Sequence, residues 1–213
     1  MQPLITLTSV VAPLIRDNVD TDAIIPASYM RSLATEPGSG LFARWRYRDD
    51  GSAEPGFVLN DPRYACAQIL LSGANFGCGS SRENAVWALA GFGFRCVIAL
   101  GYSDIFYENC FKNGVLPIVV TSPDHAALVR SCGAGQPYEL TVDVALGTIR
   151  GQEGEVLKFD LDERKRALLL EGKDEIDATL AARDRIGAFR DRHQRASPWL
   201  YQVRDSARQG NGG

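Results

Sequence analysis

Side chains that bind metals or titrate near neutral pH are scarce in this chain. Its 213 residues include two histidines, His125 and His193, and five cysteines, Cys66, Cys78, Cys96, Cys110 and Cys132. No two of these cysteines form a CxxC pair, and their spacings match no zinc or iron–sulfur ligand pattern, so no metal site is expected within the chain itself. An odd cysteine count without a secretion signal also argues against a disulfide framework. Long apolar runs are missing too. The best candidate, Ala85 to Leu100, is short and broken by Arg95, so no membrane span is expected. The amino terminus, MQPLITLTSVV, has neither a basic n-region nor a small-residue cleavage site, and a cytoplasmic protein is expected. Positive charge is not in excess: 23 Lys+Arg against 26 Asp+Glu give a formal net charge of −3. That leaves no electrostatic footprint for nucleic acid or an anionic membrane.

What remains is an ordinary globular composition, 45% hydrophobic and 23% charged, able to bury a sizeable core. The apolar, β-branched stretch from Leu4 to Ile15 suggests strand. A polar loop dense in Asx residues follows, RDNVDTDAIIPASYM. From Arg31 to Glu54 a mobile loop and then a short helix or turn are expected around LFARWRYR, and FVLN (57–60) and AQILL (67–71) read as strands. Helix fits SRENAVWALAGFG, with Ser80 or Ser81 as N-cap and Glu83 in the first turn. FRCVIAL is a buried strand, SDIFYENCFKNG a helix stopped at Asn113-Gly114, and VLPIVV another strand. Ser122 as cap, with Pro123 at N1, then opens a helix that ends near Gly133. This alternation predicts parallel pairing through βαβ crossovers. Short antiparallel strands follow over YELTVDVALGTIRGQEGEVLKFDLD. The expected organisation is an α/β domain over 1–162, a helical C-terminal extension packed on it over 163–205, and a disordered tail over 206–213.

The segment richest in chemistry is GANFGCGSSRENAVWAL (73–89). It follows a predicted strand and opens a predicted helix. Gly73, Gly77 and Gly79 allow positive φ and close backbone approach, so successive N–H groups can converge on an anion. The helix N-terminus adds partial positive charge, and Arg82 adds a full charge on a fork shaped for a carboxylate. Ser80 and Ser81 place two hydroxyls at the same spot. Such a loop can bind a carboxylate or phosphate; it can also be a tight turn with a serine cap and nothing more. A Walker A loop is excluded because no Lys precedes the paired serines, a dinucleotide fingerprint because Arg82 stands where Gly is needed. Gly-x-Ser-x-Gly is absent as well.

GANFGCGSSRE, together with DNVDTDAIIPASYM, resembles the small subunits of 3-isopropylmalate dehydratase, which are similar to the swivelling domain of aconitase. The resemblance continues through FVLNDPRY, GFRCVIALGYSDIFYENCFKNGVLPIVV and the FDLDERKRALLLEGKDEIDATL tail, and so spans nearly the whole chain. It implies an aconitase-like swivelling fold: a mixed β core with parallel βαβ units and flanking helices. It also implies a hydro-lyase of leucine biosynthesis that interconverts 2- and 3-isopropylmalate and is inactive without a separate large subunit. That partner would carry the 4Fe–4S cluster, whose open iron acts as a Lewis acid. The family's Ser-Ser-Arg motif falls on Ser80, Ser81 and Arg82. By analogy with aconitase, Ser80 would be the catalytic base, while Ser81 and Arg82 would hold carboxylate oxygens of a small dicarboxylate beside Gly79. The Arg31–Gly40 loop is the candidate reader of the substrate's alkyl group, with Arg31 a substrate contact.

The chain departs from the family in having Asn84 where SREH would place His, and Val86-Trp87 in place of Pro-Trp. Either Asn84 only orients the loop, or the chain serves a paralogous enzyme acting on another alkylmalate or methylmalate. A free-standing anion-binding module is the third reading. DNVDTD lacks the Gly and the distal acid of a calcium loop and reads as Asx turns shaping a site rim. Cys78 reads as a small turn residue rather than a reactive thiol, and His125 as solvent-facing.

Overall fold

The computed structural model describes residues 1–30, 38–133, 135–173 and 175–201. Its centre is strand β1 (Thr6–Leu14). The first half of β1 alternates, burying Leu7, Ser9 and Val11, and pairs antiparallel with β5 (Glu139–Asp143) from Thr6↔Asp143 to Val10↔Glu139. Its second half pairs parallel with β2 (Ile69–Ser72), from Val11↔Ile69 to Leu14↔Ser72. Burial becomes two-sided at Val11-Ala12, where the parallel neighbours begin. β2, β3 (Cys96–Ala99) and β4 (Leu116–Val119) are short apolar runs, as expected of parallel strands covered on both faces. With β6 (Thr148–Gly151) and β7 (Val156–Lys158) they form one mixed sheet in the order β4-β3-β2-β1-β5-β6-β7.

Strand alternation divides the core in two. Leu70, Val97 and Ala99 join Phe42, Phe76, Leu89 and Phe94 in one cluster. Ile69, Leu71, Cys96 and Ile98 join Leu116, Ile118 and Leu140 in the other. The helices that cover them are α1 (Thr21–Ile24), α2 (Ala43–Arg46), α3 (Glu83–Phe92), α4 (Asp104–Lys112), α5 (Ser122–Cys132) and α6 (Glu163–Glu171).

Three local expectations are corrected. FVLN is not a strand: Val58–Asn60 form a 3-10 turn, with the Asn60 amide tied to the carbonyls of Arg46 and Glu54. The N-cap of α3 is Arg82, with no side-chain capping bond, rather than Ser80 or Ser81. In α5 the cap is Thr121, whose hydroxyl accepts from the Asp124 N–H.

The chain forms two compact units, divided after Asp174. The first continues past residue 162 because Leu169 of α6 is buried in its core. The second holds α7 (Glu175–Ala181) and α8 (Arg183–Ala196). In α8 no described side chain is buried within this chain. No described helix is long and apolar enough to cross a membrane. Arg31 and the expected tail 206–213 lie outside the described residues.

Candidate functional site

The carboxyl ends of β1, β2 and β3 point the same way, and the segments leaving them interlock, at the place where open α/β sheets bind ligands. The segment after β1 and the Gly-rich loop after β2 run side by side. Asn18 N–H donates to the Ala74 carbonyl at 2.8 Å, and Gly77 N–H to Val19 at 2.7 Å. Asp20 and Cys78 form a parallel bridge. Asp17 Oδ1 accepts from the Ala74 N–H at 2.6 Å, and a Cβ on Gly73 would overlap that carboxylate. Asp20 caps α1 by accepting from the Ala23 N–H at 2.6 Å. Asp17 and Asn18 thus fasten the Gly-rich loop by bonds across the fold rather than by Asx turns of their own, while Asp20 caps α1.

On its other side the loop meets the segment after β3. Phe76 N–H donates to the Gly101 carbonyl at 2.9 Å, and Ser103 Oγ donates to the Gly77 carbonyl at 2.5 Å. Gly77 is required here: its φ is +73°, and a Cβ would sit 2.1 Å from the Phe106 ring. That ring is fixed edge-on to Phe76 at 5.4 Å and stacked on Tyr102.

Between these walls lies a cavity of about 200 Å³, lined on one side by Gly79, Ser80, Ser81 and Arg82 and on the other by Ser103 to Phe106. Ser80 and Ser81 are exposed, and Arg82 is half-buried. The backbone N–H groups of Gly79, Ser80, Ser81 and Arg82 find no acceptor among the described residues. Residues with four unbonded N–H groups, the positive end of α3 and a guanidinium therefore line one opening, a setting receptive to an anion. Arg82 Nη1 is also ion-paired with Asp22 Oδ1. A guanidinium has five N–H donors, so this contact leaves others available.

Four expected site residues, Gly79, Ser80, Ser81 and Arg82, are thus together at the cavity. Asn84 is half-buried in the first turn of α3. Cys78 is beneath the strip, where burial and then the Asp20 carboxylate push its thiol up, the opposite of an activated thiolate. His125 is not solvent-facing: it is buried, with Nε2 2.6 Å from the Ser72 carbonyl oxygen. Apolar neighbours on α5 did not mark this face, because the polar tip finds its partner only across the fold. Sequence reasoning also missed Thr21, Ser103, Asp104 and Ile105 as lining residues. Their one signal was position, just past the carboxyl ends of predicted strands. Among the described residues no three His, Cys, Asp or Glu side chains come together as a metal site.

The sequence model of the aconitase C-terminal domain family matches residues 1–123. A 3-isopropylmalate dehydratase small subunit from Mesorhizobium japonicum is 50% identical over 200 residues, covering 93% of this chain and 100% of that protein. One from Neisseria meningitidis serogroup C is 45% identical over 211 residues, covering 94% and 99%. A solved 3-isopropylmalate dehydratase structure from Methanocaldococcus jannaschii has a TM-score of 0.62 at 26% identity. It covers 87% of this chain and 99% of that one. The fold is that of the aconitase-like swivelling domain.

Proposed function

From a chain that belongs to the 3-isopropylmalate dehydratase small-subunit family, we propose a subunit that works with a large partner to interconvert 2- and 3-isopropylmalate by loss and readdition of water in leucine biosynthesis. The observation that carries the reading at this site is the strip Gly79–Arg82, which lines one cavity and whose backbone N–H groups have no acceptor among the described residues.

The chemistry assigned to this chain follows from that strip. Arg82 and the N–H groups hold a substrate carboxylate, with the Ser81 hydroxyl as a further donor. A serine is a poor base in water, because its hydroxyl is too weakly acidic to ionise near neutrality. For Ser80 to serve as the base, donors of the assembled site must stabilise its alkoxide, and Oγ then takes the proton from the carbon next to the held carboxylate. The neighbouring carbon then releases its hydroxyl, protonated to water, a departure that the Lewis acid of the large subunit's cluster would assist when bound; readdition of water in the opposite sense returns the proton from Ser80 Oγ to carbon. This chain's own cysteines and histidines do not fit a 4Fe–4S cluster: Cys96, Cys110 and Cys132 are buried and do not line the cavity, Cys66 is exposed, and the half-buried Cys78 is a single thiol beside it. The cluster is assigned to the large subunit.

The size of the opening supports the need for a partner. At about 200 Å³ it is smaller than the roughly 300–1,000 Å³ of a complete small-molecule site. Arg31 remains a proposed contact to the substrate, and the soluble setting is proposed to be the cytoplasm. The test is co-expression with the large subunit, followed by anaerobic assays on a panel of alkylmalates. The assembled pair should turn over isopropylmalate, and the isolated chain should not. Preference for a different alkylmalate would support the paralogue suggested by Asn84.

A further inference from the structure

We propose that Thr21 and Asp22 are positioning residues that aim the Ser80–Arg82 strip at its ligand, an inference that rests on the functional reading above. Thr21 is 1% exposed. Its Oγ donates to the Ser80 carbonyl at 2.9 Å, and its N–H donates to the Cys78 carbonyl at 2.9 Å. One residue thus holds two carbonyls of the loop, the one before Gly79 and the one before Ser81. In a trans peptide the C=O and the following N–H point in opposite directions. Turning the Cys78 and Ser80 carbonyls onto Thr21 therefore turns the Gly79 and Ser81 N–H groups away from it, and neither N–H has an acceptor among the described residues. Asp22 acts on the third member of the strip. Its carboxylate Oδ1 holds Arg82 Nη1, which tethers the guanidinium at one nitrogen and leaves its other donors for a ligand. Asp20 holds the helix start that carries both residues, through its bond to the Ala23 N–H.

This arrangement differs from a plain loop brace. A brace would bury the donors it fixes, whereas here the carbonyls are consumed and the donors are left free. It also differs from a plug. If Asp22 occupied the place of the substrate's carboxylate, removing its charge would strengthen substrate binding.

The test uses the complex with the large subunit and three variants: Thr21→Val, which keeps shape and loses the hydroxyl, Thr21→Ser, which keeps the hydroxyl, and Asp22→Asn. Thr21→Val is expected to lower kcat by about tenfold or more, the scale for a misaimed catalytic group. Thr21→Ser should recover to within about threefold of wild type, and Asp22→Asn should raise KM and lower kcat together. Equal losses in Thr21→Val and Thr21→Ser would make the effect one of packing and overturn the proposal. So would a kcat within about twofold of wild type for Thr21→Val, or a lower KM for Asp22→Asn.

A second measurement needs no turnover. In the full-length chain alone, the Gly79 and Ser81 amide resonances are followed while malate is titrated in. They should shift in wild type and Thr21→Ser, and require about fivefold more malate in Thr21→Val. Unmoved wild-type resonances would overturn the proposal. A wild-type complex that turns over no alkylmalate while these resonances still respond to malate would overturn the functional reading and leave the positioning role standing.

Discussion

Replacing Gly77 with alanine tests the site's architecture through stability alone. Two costs arise. The backbone at φ +73° lies where an L-residue with a Cβ is disfavoured by about 1–2 kcal/mol. The new Cβ would also stand 2.1 Å from the Phe106 ring, which is 3% exposed and held by Phe76 and Tyr102. Forcing a group into so close a contact costs about 1–3 kcal/mol. Together the terms come to about 2–5 kcal/mol, a fall in Tm of roughly 4–20 °C for a unit of this size. Gly79→Ala separates them. Its φ is +86°, but the nearest atom to a new Cβ is Asp20 Cβ at 3.5 Å, an ordinary contact. Only the backbone cost of about 1–2 kcal/mol applies there, or roughly 2–8 °C. Thermal unfolding followed by circular dichroism on both variants gives the comparison. Equal melting temperatures would show that Phe106 yields freely and that this wall of the cavity is soft.

Three further outcomes are expected. In the assembled enzyme Ser80→Ala should lower kcat by at least ~10²-fold, the lower range for loss of a general base; near-normal kcat would place the base on the large subunit. Asn84→His should leave the ranking of alkylmalates unchanged and the rate within about tenfold, with no new pH dependence between ~5 and ~8, where imidazole titrates. A pH–rate profile with saturating large subunit checks this, and a preference moving toward isopropylmalate only in the histidine variant would favour the paralogue. At alkaline pH, burial pushes the Cys132 thiol up to about 11, and the Cys96 and Cys110 thiols well above their ordinary value. A thiol raised above its unfolded pKa of about 8.5 favours the folded state while protonated. That contribution is complete below ~8.5 and is lost as pH rises through the folded pKa. Urea midpoints should therefore fall less steeply between pH ~9 and ~11 in Cys132→Ala than in wild type, and equal slopes would show that Cys132 is not held protonated.

Much of the parallel half of the sheet was legible in the sequence. Ile69–Leu71, Cys96–Ala99 and Leu116–Ile118 are apolar on both faces, and the helical patterns between them left few topologies. The Gly-rich segment was legible for the same reason: its glycines, serines and arginine are consecutive, so their chemistry is written in the order of the chain. What local pattern could not supply was anything that depends on a distant partner. The cap of α3 shifted to Arg82 because the Ser80 backbone is engaged by Thr21, and His125 turned inward because a carbonyl of β2 lay within reach. FVLN had the composition of a strand, yet became a 3-10 turn where Asn60 meets Arg46 and Glu54. The contacts of Thr21 and Asp22 with Ser80 and Arg82 join segments about sixty residues apart, and they exist because β1 and β2 lie parallel and in register. Residue identity and periodicity thus fixed the donors and the elements that carry them. The direction in which those donors point was decided only by the tertiary structure, because a hydrogen bond depends on which atoms the folded chain brings within about 3 Å of one another.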